Sequence, residues 1–244
     1  MVQRAAAYAD ISEKRRPSLK SVHQETAAGP EIAMPTASVD DVRAQIEAQV
    51  KSAYDEAMAR MTQEVAEPEG WWNLFGVGPI QSFGVPGPLP PHQVIKVGET
   101  AFVATVMVLN PFLTLAPGLT PLSVLSNFAL PYEVRYQTGN LTTWSLGPGA
   151  LNVVHSGPGQ NLIPGQAFYV DVLGFTATTP GLYEMNISAR ILGAAPPFVN
   201  APQFAGYARQ VVDLDADSLF FPFLPSQGAP GFQFDQPIRF QVYP

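Results

Sequence analysis

Leu182-Tyr183-Glu184-Met185-Asn186-Ile187-Ser188-Ala189-Arg190-Ile191-Leu192 alternates from end to end. In an extended chain Tyr183, Met185, Ile187, Ala189 and Ile191 share one face, while Glu184, Asn186, Ser188 and Arg190 share the other. One side is core and one is wet, which is the pattern of an antiparallel sheet. Upstream, Thr100–Asn110 is apolar on both faces, with Phe102, Ala104, Val106 and Val108 on one and Val103, Met107 and Leu109 on the other. A strand of that kind needs cover on both sides. Further runs rich in Val, Phe, Tyr and Thr lie between Gly and Pro breakers: Gln93–Val97, Tyr132–Thr138, Leu141–Leu146, Ala150–His155, Ala167–Leu173, Arg209–Leu214 and Ile238–Tyr243. Gly139-Asn140 reads as a two-residue hairpin and Gly98-Glu99 as a tight corner. Helices do not alternate with these strands, so the fold class expected is mainly β, an antiparallel β-sandwich.

Composition splits the 244 residues into two unlike parts. Residues 1–70 hold 8 basic and 12 acidic side chains, 20 of the 33 charges, whereas every Phe and Trp lies beyond residue 70. Net charge is −7, so a broad phosphate-binding surface is not expected. The absence of Cys excludes disulfides, thiolate metal sites and Cys nucleophiles. No run reaches the ~18 apolar residues of a membrane-spanning helix, and Met1–Asp10 lacks the apolar core of a secretory leader, so a cytoplasmic location is expected. The sequons at Asn140-Leu141-Thr142 and Asn186-Ile187-Ser188 then read as strand chemistry.

Residues 1–37 form an arm without an apolar period, expected to be extended or disordered. Its first 24 residues are net +3 through Arg4, Lys14, Arg15, Arg16 and Lys20, the one place suited to nucleic acid or an acidic surface. Ser38 with Asp41 approximates a capping box, and Val39, Val42, Ile46, Val50, Ala53, Ala57, Met61 and Val65 recur at helical spacing. The reading is a helix at 38–66 and a linker to residue 70. Its thin stripe must be covered, either by pairing in a coiled coil with a copy or partner, or by lying across the strand at 100–110. Val42, Ile46, Val50 and Met61 are therefore candidate partner-binding residues. Trp71, Trp72 and Phe75 join them, within an aromatic, Pro/Gly-rich connector at 71–92 that either anchors a partner or folds back onto the sandwich.

Val94-Ile95-Lys96-Val97-Gly98-Glu99 leading into Phe102-Val103-Ala104-Thr105-Val106 resembles the first two strands of bacterial immunoglobulin-like sandwiches. Thr179-Pro180-Gly181-Leu182-Tyr183 is similar to the turn and tyrosine corner that open their sixth strand. The resemblance implies a sandwich domain at 93–244 and carries no catalytic residues with it. The Cys pair is missing, and residues 193–237 are too long for the usual last connection, so they read as an insertion.

Candidates for chemistry are few. Asp213, Asp215 and Asp217 alternate and would present three carboxylates to calcium from one side of a strand, although Ser218 and Leu224 break an EF-hand loop begun at Asp213. His23, His92 and His155 are isolated from one another in sequence, and no nucleophile elbow, phosphate loop or zinc-protease helix occurs. An enzyme is not expected. Residues 71–244 carry one Lys and four Arg, and the stretches Phe198–Pro202 and Phe220–Leu224 are strongly apolar. These features suggest a non-catalytic structural or assembly module that self-associates. Two alternatives stand beside it: a carbohydrate- or ligand-binding module using Trp144 and Tyr136, and a capsid-like shell protein with a basic arm.

Overall fold

The computed structural model describes residues 37–61, 71–81, 93–157, 160–193, 202–220, 233–234 and 237–244. Ser38 and Asp41 start the first of these elements. The Ser38 amide donates to Asp41 Oδ2 at 2.9 Å and the Asp41 amide donates to Ser38 Oγ at 3.1 Å, closing a reciprocal capping box. Helix α1 follows over Val39–Met61. Strand β1 (Trp72–Gln81) comes next, then β2 (Val94–Lys96), β3 (Thr100–Leu109), the short helix α2 (Pro121–Asn127) and β4 (Tyr132–Asn140). After them come β5 (Ser145–Leu146), β6 (Val153–His155), β7 (Phe168–Thr176) and β8 (Gly181–Leu192). Strands β9 (Pro202–Tyr207) and β10 (Arg209–Val211), helix α3 (Ala216–Phe220), β11 (Gln233–Phe234) and β12 (Ile238–Tyr243) complete the order.

The strands form two sheets. The first runs β11-β10-β1-β3-β7. The second runs β2-β12-β8-β4-β5, with β6 beside β4 and β9 beside β8. Pairing is mainly antiparallel, as the alternation of Leu182–Leu192 implies. Two pairs are parallel, β1 with β10 and β12 with β2. The sheets face each other over Val103, Met107, Tyr136, Tyr183, Met185, Ile187 and Phe240. This is a β-sandwich.

Strand β3 is apolar on both faces because both are covered. Val103, Met107 and Leu109 point between the sheets. Phe102, Ala104, Val106 and Val108 point the other way, into a second cluster with Val42, Ile46, Val50, Ala53 and Ala57 of α1 and Leu219 and Phe220 of α3. The helix stripe thus lies on its own sandwich, and Ile46 is 0% exposed. Of the two covers expected for Val42, Ile46 and Val50, a partner or the strand at 100–110, the double-sided strand supplies one within the chain. Gly174 permits the close approach, since a Cβ there would sit 2.9 Å from Val39 Cγ2. At the far end Arg60 Nη1 donates to Asp217 Oδ1 at 2.6 Å and ties α1 to α3.

The aromatic connector is corrected. Trp72–Gln81 is a strand between β3 and β10, with Phe75 0% exposed in the second cluster and Trp71 and Trp72 packed against the first. Gly76, Gly78 and Pro79 suggested turns, yet the pairing with β3 continues past them with a register shift between Val77 and Ile80. The insertion at 193–237 contributes β9 to the second sheet and β10 and β11 to the first. The arm at 1–24, the helix extension to residue 66, the side chain of Met61 and the stretches Phe198–Ala201 and Phe221–Leu224 lie outside the described residues. No described helix is long and apolar enough to cross a membrane.

Candidate functional site

Helices and a second core occupy the outer side of the first sheet, whereas the outer side of the second carries polar side chains in register. Glu133, Arg135 and Gln137 of β4 stand beside Arg190, Ser188 and Asn186 of β8, and Glu184 stands beside Arg239 of β12. The charges are mutually occupied. Arg190 Nε donates to Glu133 Oε1 at 2.6 Å, Arg135 lies 3.9 Å from the same carboxylate, and Arg239 Nε donates to Glu184 Oε2 at 2.9 Å. Between these pairs the exposed amides of Gln137 and Asn186 sit opposite each other.

Two aromatic rings frame this face. Trp144 stands at one corner, 88% exposed, in the turn after β4. The expected Gly139-Asn140 hairpin is displaced: β4 runs through both residues and the chain reverses over Leu141–Trp144. Asn140 is 5% exposed, and its Oδ1 accepts from the amides of Thr142 (2.9 Å) and Thr143 (3.2 Å), an Asx turn. Thr142 Oγ1 accepts from the Leu182 amide at 2.8 Å, locking the turn to β8. Trp144 itself has φ 53, a left-handed conformation rare for a bulky residue. Leu146 beside it is 87% exposed. A fixed turn therefore displays a large apolar ring that the fold does not bury.

Tyr207, the second ring, is 77% exposed and pairs with Ser188 at the opposite edge of β8. That edge is shared: β12 pairs with β8 as far as Met185, and β9 from Ser188 onward. Asn186 and Ile187 fall in the break, which opens a small notch lined by Asn186, Tyr207, Gln210 and Pro237 with Gly76 beneath. Tyr136, the other ring expected to stack on a ligand, is corrected: it is 0% exposed and belongs to the core.

Sequence reasoning missed one constellation. His155 has no carboxylate nearby in the chain, but the sandwich brings Asp171 to it, with Nδ1 donating to Oδ2 at 2.7 Å. The Tyr136 hydroxyl donates to the same oxygen at 2.7 Å, and Thr105 Oγ1 donates to Tyr136 at 2.9 Å. The bond to Asp171 raises the His155 pKa above its ordinary value against the opposing effect of burial. Burial pushes the Tyr136 hydroxyl well up. Thr105 and Tyr136 are fully enclosed, so no substrate reaches either hydroxyl, and the network fastens the edge of the core. Only pairing across β3 and β7 and across β4 and β6 could have revealed it.

The acidic triplet does not converge. Asp213–Asp217 is not an extended strand: Asp215 Oδ1 accepts from the Ser218 amide at 2.7 Å at the start of α3, Asp217 is bound to Arg60, and Asp213 is exposed. No group of three acidic or imidazole ligands occurs among the described residues. The helix turn disperses the three carboxylates that the sequence aligned for calcium.

Among the described residues, fold and face together make a β-sandwich whose second sheet has a polar, aromatic-framed outer surface. No family model and no curated protein matches the chain. Among solved structures it is similar to the crystal structure of a CARDB domain from Pyrococcus furiosus in complex with di-metal ions, at 14% identity over 60% of this chain and 95% of that one, with a TM-score of 0.27. The solution structure of the same domain aligns at 13% identity over 59% of this chain and 100% of that one, with a TM-score of 0.26. The di-metal ions are that domain's.

Proposed function

We propose that the protein is a non-catalytic binding module whose contact surface is the outer face of the second sheet, from Trp144 to Tyr207. One observation carries the reading: Trp144 is 88% exposed at φ 53, in a turn that Asn140 and Thr142 fix internally and tie to β8. Left-handed backbone costs a bulky residue roughly 1–2 kcal/mol. An exposed ring returns nothing to stability, so binding is the use that accounts for it. The test compares the full chain with Trp144→Ala and Tyr207→Ala on neutral polysaccharide gels, on lipid vesicles, and by light scattering for self-association. The reading expects the wild type to be held by one of these and both substitutions to weaken that hold with unchanged circular dichroism. Retention that neither substitution alters contradicts it.

Self-association remains the second reading, favoured by a different patch. Leu119, Phe128 and Ile163 are exposed at the end of β4 away from Trp144, where the Leu162 amide donates to the Leu130 carbonyl and the Gly165 amide to Ser126 Oγ. A mass in solution that falls to that of one chain in Phe128→Glu supports this reading. A wild type already of that mass removes it.

A further inference from the structure

We infer that the ligand of this face is a neutral polysaccharide, laid diagonally across the second sheet from Trp144 to Tyr207. The inference rests on the binding-module reading above and names the chemistry of its partner.

Four features select that chemistry. Trp144 and Tyr207 are separated by three inter-strand gaps and about five residues along β4, which places them roughly 20 Å apart. Rings so spaced suit an extended, repeating ligand better than one compact molecule. Pyranose rings present faces of C–H groups that lie against aromatic rings, and edges of hydroxyls that both donate and accept. The residues between the rings match those edges: Gln137 and Asn186 are planar amides that give and take hydrogen bonds, with Ser188 beyond and the Gly139 backbone leaving room.

Charge supplies the third feature. Each arginine on the face lies within 4 Å of Glu133 or Glu184, three arginines to two carboxylates, so the described face holds at most one positive charge in excess and no cluster of cations for a phosphate, sulfate or uronate. The whole chain is net −7 and repels polyanions. The fourth is shape. A protein partner would want a contiguous apolar centre, but the middle of this face is polar and its apolar groups stand at the margins. The notch at Asn186 has room for a group of about the size of a water molecule, such as the hydroxyl end of a hydroxymethyl.

The experiment is affinity electrophoresis of the full chain in gels containing xylan, hydroxyethyl cellulose, galactomannan or dextran. Alginate and heparin gels serve as charged comparisons, with flotation on phosphatidylcholine vesicles alongside. Retardation is expected in at least one neutral gel and in neither charged gel. Trp144→Ala and Tyr207→Ala should each weaken it about tenfold, and Asn186→Ala and Gln137→Ala about threefold to tenfold. Trp144→Phe, which keeps a ring, should retain most of it, so that a loss cannot be laid to misfolding. Absence of retardation in every neutral gel overturns the inference. Binding to vesicles or a charged gel that Trp144→Ala abolishes also overturns it, while leaving the binding-module reading in place. Retardation that neither aromatic substitution changes overturns both.

Discussion

In the proposed binding role, Trp144 sets function against stability within one residue. Asparagine tolerates the left-handed region that tryptophan occupies here, so Trp144→Asn should raise stability by about 0.5–1 kcal/mol in urea denaturation while removing ligand retention. A loss of stability would mean that the ring packs after all. Tyr183 behaves oppositely. Its hydroxyl donates to the Thr179 carbonyl at 2.9 Å and its ring stacks on Phe240 with centroids 5.4 Å apart, the corner that its sequence context suggested. Tyr183→Phe should cost roughly 0.5–1.5 kcal/mol and Tyr183→Ala about 3–5 kcal/mol. A neutral alanine would deny β8 its place in the core. His155 links the core to pH. Its pKa is raised in the folded chain, so its stabilising share is complete below the ordinary value of about 6.5 and is lost as pH rises through the folded value. Denaturation midpoints of wild type and His155→Gln should therefore converge as the buffer moves from pH 5 to pH 8. Parallel curves would show that the bond to Asp171 leaves the titration unmoved.

At the scale of elements, the runs with one dominant signal were readable in advance. The alternation of β8 and β12, the two apolar faces of β3 and the capping box of α1 each depend on residues close in sequence. What the residues left open was which surface covers which. The stripe of α1 suits a neighbour's helix as well as its own sheet, and only the fit of Val39 against Gly174 and of Arg60 against Asp217 decides it. Strand β1 was illegible for another reason. Its glycines and proline are turn formers in isolation, and their tolerance in a strand rests on the pairing with β3 on one side and β10 on the other. The same long-range pairing created the Trp144–Tyr207 face, of which only Trp144 could be singled out beforehand. Burial of the helix seam yields a direct expectation. Ile46→Glu should destabilise the single chain by roughly 3–4 kcal/mol, because the carboxylate would enter the cluster around Phe102 and Val106. A variant that stays as stable as the wild type but changes its mass in solution would return the helix to an intermolecular role.

Across the whole molecule the two sheets divide the work. Among the described residues the first is covered on its outer side by α1 and α3, whereas the outer side of the second carries Gln137, Asn186 and Tyr207 in register, with Trp144 in the turn after β4. On the binding-module reading, rigid elements of this kind keep the face preorganised, so a ligand should bind with little change in backbone. The most direct measurement is a map of amide chemical-shift changes in the full, isotopically labelled chain as the polysaccharide that retards it in gels is added as a short oligosaccharide. Shifts should gather at residues 137–146, 184–188 and 205–208, with α1 and α3 silent. Shifts confined to α1, α3 or the loops around Phe128, with the Trp144 turn unmoved, would contradict the assignment of this face as the binding surface.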